Sequence, residues 1–181
     1  HKIIGFTHNR NPQKINEEGP NEWVFWECGK EYLLENSLLK IDILILNHGI
    51  YKFGSEQDLE KSIEINATSK FKILKLFEKI SLSQSFDSQK EIWINTSEAE
   101  ILPALNPSYE ISKSLIGQLV TFKKNFNNQN ESTNLIIKKI ILGPFKSDLN
   151  PLGIMSPKLV ASLIFYLSKI SNYLIIVSPN P

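Results

Sequence analysis

Two kinds of segment alternate along this chain, and that alternation constrains its fold more than any other feature. Short runs rich in β-branched and aromatic residues are each followed by loops or by longer stretches whose apolar residues recur every three or four positions. Lys2–Thr7, Glu22–Trp26, Ile41–Leu46, Glu91–Asn95, Asn134–Leu142 and Tyr173–Val177 have the strand pattern. From Glu56 to about Ile80, Leu59, Ile63, Ala67, Phe71, Leu74 and Phe77 make one apolar helix face. Pro107–Phe126 repeats that spacing with Ile111, Leu115, Leu119 and Phe122, Pro107 suiting a first helical turn, and Pro157–Lys169 reads as a further helix. Ile41–Leu46 is almost continuously apolar, which predicts a parallel strand buried on both faces. Strands joined by helices cross over right-handed and lie parallel. The expected architecture is therefore α/β, a three-layer αβα sandwich on a mostly parallel sheet, in one domain over residues 1–181.

Charge and composition exclude several function classes. Twenty basic residues balance 19 acidic ones for a net charge of +1, with no basic block, so neither nucleic acid nor a polybasic membrane contact is expected. No apolar run approaches the roughly 20 residues of a bilayer span, and the opening His1-Lys2-Ile3-Ile4 lacks the pattern of a signal peptide. The chain opens directly on a strand with a non-Met residue, so His1 is not expected to be the natural start. The single cysteine, Cys28, reads as a small core residue and fits a reducing, cytoplasmic setting. His1, His8 and His48 show no metal-ligand spacing, so no metal site is expected.

In open parallel sheets ligands bind beyond the carboxyl ends of the strands. Three loops there stand out: Asn47-His48-Gly49 after the third strand, Thr96-Ser97 after the fourth, and Gly143-Pro144-Phe145-Lys146-Ser147 after the fifth. Twelve residues beyond Ser97, at the start of a helix, comes Tyr109-Glu110-Ile111-Ser112-Lys113. Tyr109 and Lys113 are four apart and share one helix face, so both can meet one ligand.

These markers, in this order and on these elements, resemble the short-chain dehydrogenase/reductase family over nearly the whole chain. Asn47-His48-Gly49 looks like its Asn-Ala-Gly turn, with His for Ala; Ser97 and Tyr109-x-x-x-Lys113 look like its catalytic signature; and Asn66 matches the asparagine of its long central helix. Gly143-Pro144-Phe145-Lys146-Ser147 is similar to its nicotinamide-embracing turn, with the Pro and Gly order reversed and Ser for Thr. The resemblance implies a Rossmann-like NAD(P)-binding domain and hydride transfer between an alcohol and a carbonyl. Tyr109 would be the proton donor, Lys113 would lower its pKa and hold the nicotinamide ribose, Ser97 would orient the carbonyl, and Asn66 would hold a relay water. It places Thr7, Arg10 and Glu27, with Asn47, His48, Gly49, Gly143, Pro144, Phe145 and Ser147, around the cofactor, and it implies a homodimer or homotetramer paired through the helices at 56–80 and 107–126.

One part of the family pattern is missing, which makes the fold N-terminally incomplete. Glycines fall at 5, 19, 29, 49, 54, 117, 143 and 153, and no pair forms the Gly-x-Gly bend that cradles a pyrophosphate. The family's first strand, which lies between the strands matched by 2–7 and 41–46, is absent as well, so the sheet should be split there. Cofactor choice is read at the end of the second family strand, Phe6-Thr7-His8-Asn9-Arg10, which has no acidic residue and carries the chain's single arginine. That favours NADP, with NAD as the alternative. The short stretch from Ser147 to Pro157 implies an open site or a lid from elsewhere, and a membrane tether upstream is compatible with the resemblance. The competing reading is a non-catalytic relative, whose dinucleotide scaffold serves as a nucleotide-binding or interaction domain; the missing glycine loop favours it, and the complete Asn66, Ser97, Tyr109, Lys113 set opposes it.

Overall fold

The structure, a computed structural model, describes residues 2–10, 19–83, 89–129 and 134–179. Its strands are β1 (Ile4–Thr7), β2 (Glu22–Phe25), β3 (Ile43–Leu46), β4 (Lys90–Asn95), β5 (Leu135–Leu142) and β6 (Leu174–Val177), and every pairing among them is parallel. The helices are α1 (Glu35–Leu38), α2 (Glu56–Ile63), α3 (Lys70–Ser83), α4 (Pro107–Gln129) and α5 (Pro157–Leu167). Each expected strand and helix is found, with no end shifted by more than three residues. The short helical stretch from Glu31 to Leu38 was not anticipated.

The strands form two sheets, β1-β2 and β3-β4-β5-β6. The break falls between β1 and β3, where the resemblance puts the strand that this sequence lacks. Each long helix is started by a local device. Ser55 and Ser156 accept the Asp58 and Leu159 amides at the heads of α2 and α5, and Asn106 accepts the Tyr109 amide at the head of α4. α2 and α3 continue one another through a π-helical stretch, Glu64–Ser69, with Asn66 inside it.

Alternate strand residues point to opposite faces, and each face packs on different helices. Leu44, Leu46, Ile92, Ile94, Leu135 and Ile137 join Ile73, Leu74 and Phe77 of α3 and Ile116 and Val120 of α4 in the larger core. Trp93, Ile140, Leu142, Ile175 and Val177 pack against Val160 of α5 in the smaller one. The expectation for Ile41–Leu46 needs correcting: Leu44 and Leu46 are buried, but Ile43 and Ile45 are exposed. The reason is layer size. α5 covers β5 and β6 on that face and does not reach β3. Cys28 is partly buried and packs on the larger core.

Candidate active site

The carboxyl ends of β3, β4 and β5 open into a cavity of about 520 Å³. Its floor and walls include Asn47, Gly49, Ser97, Tyr109, Lys113, Gly143, Pro144, Phe145 and Ser147. The structure thus brings together most of the residues chosen from the sequence. Thr7, Arg10, Glu27, His48 and Asn66 are not among its walls. Arg10 is exposed on the β1-β2 side, 3.5 Å from the Glu27 carboxylate and over the Phe25 ring. The Thr7 hydroxyl accepts the Asn9 amide, and His48 packs edge-on to Trp26 with ring centroids 5.2 Å apart.

Tyr109 and Lys113 lie one turn apart at the start of α4, and the Lys113 Nζ sits 5.2 Å from the Tyr109 ring centroid. Ser97, two residues beyond β4, lines the same cavity as Tyr109, and its Oγ accepts the Ala99 amide at 3.3 Å. Burial pushes the Tyr109 phenol above its ordinary pKa, and the nearby Ser97 hydroxyl only partly offsets that. The expected lowering by Lys113 is not what governs Tyr109 here, because the ammonium lies over the ring face and burial dominates. The same burial lowers Lys113 to about 8, which keeps it largely charged at neutral pH. Tyr109 is thus held as a protonated phenol beside a buried cation.

Asn66 is fully buried, and its side chain works as a tie. Its Oδ1 accepts the Ile50 amide at 2.8 Å, and its Nδ2 donates to the Ile50 carbonyl at 2.9 Å and to the Ser112 hydroxyl at 3.0 Å. Both amide protons are therefore committed to joining the loop after β3 to α4, so the expected grip on a relay water does not come from them. The π-helical stretch inserts an extra residue into the turn that carries Asn66, a local distortion that recurs at functional sites. Gly49 is needed beside it: a Cβ there would stand 3.0 Å from Asn66 Oδ1 and 3.7 Å from Lys113 Nζ.

Sequence reasoning passed over Lys70 and Tyr51. Lys70 is fully buried, donates to the Asn95 carbonyl at 2.8 Å and lines the cavity. Desolvation first, and the nearby Lys113 charge second, hold its pKa well below the usual lysine range. The signal was a lysine standing inside the apolar stripe between Ala67 and Leu74. Tyr51 lies with its ring 5.2 Å from that of Tyr109 and has no sequence marker. The loop after β5 also differs from expectation. Short as it is, it folds back through Lys146–Met155 and Ser147–Asn150 backbone bonds, and Leu149, Pro151 and Leu152 wall the cavity.

The residues present fit the nicotinamide end of a dinucleotide. No side chain or carbonyl among the described residues accepts a hydrogen bond from the Lys113 ammonium, which lines the cavity, and the buried Oδ1 of Asn95, another lining residue, has no partner among the described residues. Donors and acceptors so placed suit a ribose diol. For the pyrophosphate the sequence holds no Gly-x-Gly turn.

No protein-family model matches the chain. A monoglucosyldiacylglycerol epimerase of Synechocystis sp. (strain ATCC 27184 / PCC 6803 / Kazusa) is 39% identical over 158 residues, covering 86% of this chain and 37% of that protein. The chain therefore spans well under half the length of that relative. Among solved structures, the chain superposes on a short-chain dehydrogenase from Sphingobium yanoikuyae in complex with NADPH, with TM-score 0.71 and 13% identity over 86% of this chain and 66% of that one. It also superposes on the ligand-free aldohexose dehydrogenase of Thermoplasma acidophilum, with TM-score 0.74 and 15% identity over 98% of this chain and 82% of that one.

Proposed function

We propose, on the premise that this chain has the fold of the short-chain dehydrogenases, that it carries the catalytic half of an NAD(P)-dependent oxidoreductase interconverting an alcohol and a carbonyl. One observation supports this above others: Ser97, Tyr109 and Lys113, from two separate elements, meet in one cavity with the phenol protonated and the amine desolvated. NAD(P) bound at Lys113, Asn47, Gly49 and the 143–147 loop would supply or accept the hydride. In the reducing direction the Tyr109 phenol gives its proton to the carbonyl oxygen as the carbon takes the hydride. Ser97 holds that oxygen by a hydrogen bond, and the Lys113 ammonium stabilises the phenolate left behind. Asn66 fixes the two loops that set this distance. Tyr109→Phe keeps the ring and removes the proton donor, so turnover should fall at least ~100-fold with cofactor binding retained. Undiminished turnover in that variant would refute the assignment.

The cofactor is NADP, read from Arg10, whose exposed planar guanidinium suits a 2′-phosphate on the β1 side. Glu27 pairs with it in this structure, so the phosphate would have to compete with that carboxylate. NADPH should bind more tightly than NADH, and Arg10→Ala should erase most of the difference. A preference that survives in Arg10→Ala would place the phosphate elsewhere.

A second reading has one specific observation behind it, the 39% identity to an epimerase of a glucosyl lipid. The same residues would then oxidise a sugar carbinol to the ketone and reduce it on the opposite face, so no cofactor is consumed. Product formation without net change in reduced nicotinamide absorbance distinguishes this from a dehydrogenase.

A further inference from the structure

Three loops frame the mouth of the cavity, and each carries large apolar side chains out into solvent. Tyr51 and Phe53 follow β3; Ile101, Leu102 and Leu105 follow β4; Leu149, Leu152 and Ile154 follow β5. Such residues scattered singly would be ordinary, but Tyr51, Leu102, Leu149 and Leu152 line the one cavity and the others sit on the same three loops. Leu102, Leu149 and Leu152 belong both to the cavity wall and to the exposed set, so the lining runs without a break from the polar floor to an apolar rim.

Leu105 is the most telling of them. It is 89% exposed and has φ 56, a left-handed backbone that a leucine adopts only under constraint. The constraint is visible on both sides of it. Glu110 Oε1 accepts the amides of Ala104 and Asn106, and Asn106 Nδ2 donates to the Lys52 carbonyl at 3.0 Å. That last bond also ties Leu105 to the loop of Phe53. The fold therefore holds an apolar side chain rigidly in water beside its catalytic cavity.

Charge on the three loops follows the same arrangement. Glu98, Glu100 and Glu110 are spent inward, on Ser178, Lys139 and the Ala104 and Asn106 amides. The exposed charges left on the loops are Lys52, Lys146 and Asp148, a small positive balance. An apolar rim without outward acidic excess suits a neutral or anionic lipid surface.

We propose that this rim docks on a lipid surface and that the cavity takes the polar headgroup of a lipid-linked alcohol or ketone, the acyl part staying in the membrane with Phe53, Leu105 and Ile154 immersed beside it. The proposal rests on the oxidoreductase reading for what happens to the headgroup. No helix among the described residues is long and apolar enough to cross a membrane, so the contact is one of loops at the interface.

The test is the combined variant Phe53→Ser, Leu105→Asn, Ile154→Ser in the full chain. None of these side chains lines the cavity, and asparagine suits the left-handed backbone better than leucine, so the fold should be kept. Partition onto phosphatidylcholine vesicles containing a glycosyl diacylglycerol is measured by co-sedimentation, and turnover of that lipid is compared with a water-soluble alkyl glycoside. The variant should partition about tenfold less, with a matching loss of kcat/KM on the lipid and none on the soluble compound. Equal partition of both forms, or equal losses on both substrates, would overturn the proposal. So would a dimer that the variant converts to monomer with vesicle binding unchanged, since the rim would then pair two copies. Should neither substrate be turned over while partition falls as expected, the rim stands and the oxidoreductase reading fails.

Discussion

At the level of single residues, His48 shows how the site shapes stability. It stands where the resembling family carries alanine, its ring packs on Trp26, and its Nε2 is sealed from solvent without a partner. Burial, and then the charges of Lys70, His8 and Lys113, push its pKa from 6.5 to about 2. A depressed histidine stays neutral in the fold while the unfolded chain takes up a proton below pH 6.5. The stability it permits is whole above that value and is lost progressively as pH falls towards about 2. Between about pH 7.5 and about pH 5, the melting temperature of the unmodified protein should drop ~6 °C more than that of His48→Ala. Parallel slopes in the two melts would show that His48 takes up its proton without unfolding. Lys70 belongs to the same setting, since its charge bears on His48 and its own pKa is lowered by burial and by the charge of Lys113.

Among the elements, legibility followed periodicity. α4 and the long helix through α2 and α3 were readable because their apolar faces are regular, and β3 to β6 because β-branched runs end in polar turns. Tyr109 and Lys113 were legible for the same reason, being a four-residue pair at a helix start that follows a strand-end serine. What escaped reading depends on tertiary context. The π-helical turn at Glu64–Ser69 has no periodic signature, since one inserted residue in a long helix barely disturbs the pattern. One-sided burial of β3 depends on how far α5 reaches, which local sequence does not encode. The buried Lys139–Glu100 pair also depends on a neighbour. Glu100 fits under α4 because Gly117 has no side chain, a Cβ there standing 2.1 Å from the carboxylate carbon. That pair fastens the loop of Ser97 to β5, so the position of a candidate catalytic hydroxyl rests on a glycine one element away.

For the whole molecule, the two helix layers cover the sheet unequally and leave apolar surface outside. On α4, Ile111, Phe122 and Phe126 are exposed, and the last two lie one turn apart with rings stacked at 6.3 Å. A self-complementary face on a single helix is met most simply by a second copy related by a two-fold axis, each α4 lying against the other. The chain should therefore associate through α4, and Phe122→Glu with Phe126→Glu should return it to monomer by placing like charges across the axis. Light scattering at tens of micromolar tests this. The expected mass is twice that of the chain for the unmodified protein and once for the variant, with the far-ultraviolet circular dichroism of the two superimposable. A monomeric unmodified protein would rule out the α4 pairing, and a variant that remains dimeric would move the interface to another apolar face, such as the exposed side of α5 with Phe165 and Tyr166. The loops around the cavity lie at the carboxyl end of the sheet, whereas Phe122 and Phe126 lie well along α4 from its start at Pro107, so pairing at this face leaves the mouth of the cavity free.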